Sequence, residues 1–133
     1  MTSAPAHRPI LTASLPKPAG PYSPGMGFER LVFVSGQAAT DPATGKLAGT
    51  TVQQQTEQCL ENVKAILEAA GSGLPYVLRC GVFLVDMREF QNMNGVYQRM
   101  FGDHRPARTT VQVAALPGDG LLVEIDAIAY VPV

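Results

Sequence analysis

Val52, Thr56, Cys59, Leu60, Val63, Ile66, Leu67 and Ala70 recur at intervals of three and four. That period predicts a helix over 52–70 with one buried face. Thr51 with Gln54 supplies a capping-box start, and Gly71 a C-terminal stop. A second helix is predicted over 87–101, started by Asp86 with Glu89 and ended by Gly102. Its apolar stripe is Met87, Phe90, Met93, Tyr97 and Phe101.

Two segments, 31–35 and 77–85, are apolar on both faces and read as buried strands. Residues 108–115 and 121–131 alternate instead. Val111, Val113 and Ala115 oppose Arg108, Thr110 and Gln112, and Val123, Ile125 and Ala127 oppose Glu124 and Asp126. Side chains alternate across a strand, so each has an apolar and a polar face. The turn-rich Pro117-Gly118-Asp119-Gly120 between them predicts a hairpin-like connection. The sum is an α+β chain with one sheet and two covering helices. Helices on one face leave the second apolar face of the inner strands for another subunit. The polar group Arg108, Thr110, Gln112, Glu124 and Asp126 is then expected near that contact. Residues 1–14 show no periodicity and read as a mobile N-terminal arm, and 15–133 as a single domain.

Composition narrows the partners. The 133 residues are 16% charged with a formal net charge of −1, and Lys and Arg form no run. A nucleic-acid backbone binder usually shows a basic patch, so nucleic acid is not the expected partner. The low charge suits a surface partly covered by a second copy. No apolar stretch approaches the roughly 20 residues of a membrane span, and the N-terminus has no apolar signal core. The two cysteines, Cys59 and Cys80, have no metal-ligand spacing and read as core residues. The two histidines, His7 and His104, lie far apart in sequence. No metal or organic cofactor is expected, and the setting is expected to be the reducing cytoplasm.

Several residues stand out chemically. Arg108 is either a surface or interface arginine or a receptor for a small carboxylate, which a guanidinium grips with two parallel hydrogen bonds. Glu124 is either a sheet-surface carboxylate or a group that positions water. Asn94 shares the apolar stripe of the second helix, so its amide needs partners in the core or in a ligand. Gly95 beside it suggests close approach of another segment. Tyr22 follows Gly20-Pro21 in an irregular stretch and reads from its position as a packed rim aromatic. Ser35-Gly36 ends a strand, where glycine permits close approach of a ligand or backbone.

In order and spacing these segments resemble the Rid family of reactive intermediate deaminases, the YjgF-type proteins. The stretches are GPYSPG at 20–25, LVFVSGQ at 31–37, DPATGKL at 41–47 and LENVKAILEAAG at 60–71. VFLVDM at 82–87, NGVYQRMFG at 94–102 and PARTTVQVAALPGDGLLVEIDAIA at 106–129 follow. The resemblance spans about residues 15–131. It implies a chorismate-mutase-like fold, a homotrimer with sites between subunits, and hydrolysis of 2-imino acids such as 2-iminopropanoate and 2-iminobutanoate to 2-oxo acids and ammonia. It implies that Arg108 binds the substrate carboxylate and Glu124 orients water. Tyr22 and Asn94 would line the cleft, and Ser35 and Gly36 would shape its floor. Many relatives carry cysteine where this chain has Thr110. Three other readings stay open at this stage: a trimer that binds 2-oxo acids without turnover, an endoribonuclease or translation inhibitor, and a chaperone.

Overall fold

The computed structural model describes residues 3–15 and 17–133. Its elements are β1 (His7–Ile10), β2 (Gly25–Phe28), β3 (Leu31–Gln37), α1 (Val52–Ala69), β4 (Val77–Leu84), α2 (Phe90–Phe101), β5 (Ala107–Gln112) and β6 (Val123–Tyr130). The strands form one six-stranded mixed sheet in the order β1-β2-β3-β6-β4-β5. All neighbours are antiparallel except β4 and β5, which run parallel with α2 between them in sequence. Parallel neighbours need such a crossover.

Helix α1 begins at the predicted capping box. The Gln54 amide N–H donates to Thr51 Oγ1 at 3.1 Å, and Gln54 Oε1 accepts from the Thr51 N–H at 3.3 Å. It ends in a Schellman turn, with Ser72 N–H donating to Leu67 O at 2.8 Å and Gly71 N–H to Glu68 O at 3.0 Å. Gly71 has φ 83°, a left-handed conformation that favours glycine. Between these stops Cys59, Leu60, Val63, Ile66 and Leu67 are fully buried against the sheet. Each large aliphatic side chain so buried stabilises the fold by roughly 1.5–3 kcal/mol. The second helix starts later than its pattern suggests. Met87–Glu89 is a 3₁₀ turn capped by Asp86, whose carboxylate accepts from the Arg88 N–H at 2.9 Å.

Three expectations need correction. The strands flanking Pro117–Gly120 are not a hairpin, because β4 lies between them. The connection instead passes the end of β4, where Val113 N–H donates to Leu84 O and Leu122 O accepts from the Val85 N–H. Buried Gln55 holds this connection to α1, accepting from the Leu122 N–H at 2.8 Å and donating to Gly120 O at 2.8 Å. Within the segment read as an arm, His7–Ile10 is an edge strand paired with β2. A Cβ on Gly95 would meet open space, so no other described segment of this chain approaches it.

The sheet has a covered and an open face. Val32, Val34, Cys80, Val82, Leu84, Ile125 and Ala127 face the helices and are buried. Leu31 and Phe33 of β3 are exposed, as is Val111 of β5. Val111 is in register with Phe83 and Phe83 with Glu124, so these share the open face. Two-faced apolar strands therefore leave an apolar surface that no described element of this chain covers.

Candidate functional site

Register divides the expected polar group between the two faces. Glu124 and Asp126 pair with Phe83 and Gly81 and lie on the open face. Arg108 and Thr110 pair with Cys80 and Val82, which face the helices. The alternation in β5 is therefore read correctly but assigned to the wrong side: apolar Val111 faces outward, and polar Arg108 faces α2. The cause is the edge position of β5, where the helix layer thins to a few α2 side chains. Arg108 and Glu124 of one chain thus lie two strands apart on opposite faces of a sheet.

The first cluster lies in a cleft of about 310 Å³ with Tyr22, Gly36, Gln37, Asn62, Leu121 and Glu124 among its walls. A register shift between Val34 and Gln37 interrupts the β3–β6 pairing at Ser35-Gly36. Glu124 lies against this break. A Cβ on Gly36 would come within 2.6 Å of Glu124 Oε2, so only glycine admits the carboxylate in this pose. Ser35 fixes the Tyr22 loop, its hydroxyl donating to Ser23 O at 2.7 Å and its N–H to Pro24 O at 2.9 Å. Asn62, unnoticed in the sequence, holds the chain leaving β3 by donating to Ala38 O at 3.1 Å and Thr40 O at 2.9 Å. The only signal for it was a polar residue beside the buried stripe of α1.

Glu124 is half-buried, and burial raises its carboxyl above the usual range, with the nearby Asp126 charge acting in the same direction. Asp126 is fixed by the Gly81 N–H, which donates to its Oδ1 at 2.7 Å. A raised folded-state pKa means the folded protein holds a proton more tightly than the unfolded chain. Stability is then lost as pH rises through that pKa. Glu124→Gln mimics the protonated form, so it is expected to raise Tm at neutral pH. The gain should vanish by about pH 4, where both states of the parent are largely protonated. Thermal melts of both proteins across pH check this, and a Gln variant melting lower than the parent at pH 7 contradicts it.

The second cluster lies in a pocket of about 330 Å³ between α2 and the start of β5, lined by Asn94, Tyr97, Gln98, Arg105, Pro106 and Arg108 among others. The Arg108 guanidinium carbon lies 4.7 Å from the Tyr97 ring centroid and 5.6 Å from that of Phe90. Among the described residues Arg108 forms no salt bridge. Arg105, by contrast, is tied to the backbone carbonyls of Gly102 and His104. Asn94 Oδ1, the Tyr97 hydroxyl and Thr110 Oγ1 are buried without a hydrogen-bond partner. The Cys80 thiol neighbours Tyr97, but a thiol is a weak donor and the contact lacks hydrogen-bond geometry. Burial pushes the Cys80 thiol up to about 11 and raises the Tyr97 phenol as well, so both stay protonated.

The structure thus brings Arg108 and Asn94 to one pocket, with Thr110 on the same face of β5 but outside its lining, and Tyr22, Gly36 and Glu124 to another, with Ser35 supporting the second. It does not join the two groups within one chain. Tyr97 read as a core residue in the sequence, and nothing in its spacing showed that its ring would carry Arg108. Among the described residues no group of three His, Cys, Asp or Glu side chains could hold a metal ion. The His104 Nε2–H donates to Val77 O at 2.7 Å and acts as a latch for the chain leaving α2. No described helix is long and apolar enough to cross a membrane.

Comparison with known proteins agrees with this architecture. The family described as Endoribonuclease L-PSP matches residues 12–131. A RutC family protein of Pyrococcus horikoshii is 48% identical over 121 residues, 91% of this chain and 95% of that protein. A Bos taurus protein named 2-iminobutanoate/2-iminopropanoate deaminase is 42% identical over 120 residues, 90% of this chain and 87% of that protein. The crystal structure of E. coli TdcF with bound serine superposes with a TM-score of 0.87 at 40% identity, covering 92% of this chain and 98% of that one. Shared sequence over almost the whole domain, on a shared sheet order and helix layer, places this chain in the endoribonuclease L-PSP family, the Rid/YjgF-type proteins.

Proposed function

We propose that this protein hydrolyses 2-imino acids to 2-oxo acids and ammonia, at sites completed between the subunits of a homotrimer. The observation that carries this reading is Arg108, an arginine seated on aromatic rings with no salt-bridge partner, at the mouth of a pocket whose buried polar atoms also lack partners. A bidentate fork so placed suits a small carboxylate. The bovine relative's name and the serine bound to TdcF point to the same ligand size and class. The open apolar face bearing Leu31, Phe33 and Val111 supplies the contact through which a second copy brings its Glu124 to this Arg108.

The chemistry asks little of the protein. The carbon of a protonated imine is electrophilic, and Arg108 holds its carboxylate in place. Glu124 takes a proton from water as the water oxygen bonds to that carbon, giving a carbinolamine. Glu124 returns that proton to the carbinolamine nitrogen; the C–N bond then breaks as the hydroxyl gives its proton to Glu124 and becomes the 2-oxo group, and ammonia takes up this proton and leaves as ammonium. Asn94 and Thr110 offer hydrogen bonds at the carboxylate end, and Tyr22 closes the cleft. Thr110, where relatives often have cysteine, keeps a hydroxyl for this purpose. No step calls for a cofactor. The free thiols Cys59 and Cys80 fit a reducing cytoplasm.

The test generates imines with an amino-acid oxidase and traps them with semicarbazide, with and without this protein. Suppressed trapping supports the reading. No suppression with alanine-, leucine- or aromatic-derived imines overturns it, and ligand-dependent stabilisation by 2-oxo acids would then make the protein a metabolite binder. Glu124→Gln is expected to lower kcat roughly ten- to a hundredfold with a smaller change in KM. As a base, Glu124 works above its pKa, so activity falls as pH drops through it. Its raised pKa puts that acid limb above the ordinary glutamate range, and Asp126→Asn should move the limb to lower pH. A pH–rate profile checks both, and an unmoved limb rejects the assignment.

A further inference from the structure

Arg108 sits on an edge strand with its side chain turned toward α2, where an arginine has no backbone partner to fix its fork. What lies beneath it instead is a pair of rings. Its guanidinium carbon is within the roughly 6 Å range of cation–π attraction to both Tyr97 and Phe90. Tyr97 is 7% exposed and packs on Phe101 with centroids 4.7 Å apart, so its ring is held in place by the core. The second arginine of the pocket, Arg105, is tied through one nitrogen to the carbonyls of Gly102 and His104 and makes no cation–π contact with the rings among the described residues. The Tyr97 hydroxyl has no hydrogen-bond partner among the described residues, and it is the ring that lies against Arg108.

We propose that Tyr97 and Phe90 form an aromatic seat that fixes the Arg108 fork for a carboxylate, making Tyr97 a positioning residue that sets affinity for the charged end of the ligand. This rests on the reading of the α2–β5 pocket as the carboxylate end of the site. An unseated guanidinium on a three-methylene stem must be ordered when the ligand arrives, and that ordering weakens binding. A seated one is ordered beforehand, and it makes no salt bridge that would occupy its donors among the described residues. The seat therefore acts on binding of the carboxylate in ground and transition states alike, and so on KM more than on kcat.

Tyr97→Leu removes the ring but keeps an apolar side chain, and Phe90→Leu does the same at a less buried position. Each is expected to raise KM for imino acids, and Kd for pyruvate measured by titration calorimetry, roughly three- to thirtyfold. The loss in kcat should be smaller than the rise in KM. Tyr97→Phe restores the ring and should recover most of the affinity. Phe90→Leu keeps the test open should Tyr97→Leu fail to fold, which circular dichroism reports. Folded Leu variants with parental pyruvate affinity overturn the seat, as does a Tyr97→Phe variant as impaired as Tyr97→Leu. If the parent binds pyruvate but hydrolyses no imine, a Leu-specific loss of pyruvate affinity upholds the seat and only the hydrolytic reading falls. A parent that neither binds pyruvate nor hydrolyses imines overturns both.

Discussion

Arg108→Ala is expected to lower kcat/KM for imino acid hydrolysis by roughly a hundred- to a thousandfold. The argument starts from the cost of the interaction that is lost. Truncating one partner of a hydrogen-bonded charge pair costs about 2–5 kcal/mol, and each 1.36 kcal/mol is a tenfold change in rate. The middle of that range gives the stated loss. In the alanine variant the ligand carboxylate would face the Tyr97 and Phe90 rings, whose faces are electron-rich and repel an anion. Arg108→Lys should recover only part of the rate, because an ammonium is a point charge without the planar fork. The semicarbazide competition assay measures each variant against the parent at equal protein concentration. An alanine variant that clears imine at the parental rate removes Arg108 from the site.

Much of this arrangement was legible in the residues, and the exceptions have physical causes. The caps and stripe of α1 could be read because a capping box and a Schellman turn are local, with partners within five residues. The doubly apolar β3 and β4 announced an uncovered sheet face for the same reason: burial is written into each residue's own chemistry. Strand order is not local. The pattern of 108–131 is equally good for a hairpin and for two strands separated by β4, and only long-range pairing chooses. The short β1 and β2 carry Pro9 and two glycines, Gly25 and Gly27, and so lack the β-branched signal of a strand. Arg108, Glu124, Asn94 and Tyr22 were recognisable as unusual residues. Which face each occupies depended on register across three strands, and so the polar group expected on one face is divided between two.

That division yields the second large expected effect. Arg108→Ala and Glu124→Gln should each keep about a tenth of parental activity or less alone, yet a refolded equimolar mixture should regain about a quarter of it. In the proposed cyclic trimer each site would draw Arg108 from one subunit and Glu124 from the next across a heterologous interface. With random mixing, the subunit giving the arginine has it intact in about half of cases, and the subunit giving the glutamate likewise, so about a quarter of sites are whole. If both residues served a site within one chain, no mixture could restore any site, because every chain carries one defect. The geometry already disfavours that case, since the sheet itself stands between the two side chains. The mixed sample must be unfolded and refolded together so that subunits exchange, with each variant refolded alone as the baseline. Recovery well above that baseline establishes a shared site. A mixture no better than the average of its two components means that the residues do not meet across a subunit boundary, and the carboxylate anchor and the water-positioning carboxylate would then belong to different sites.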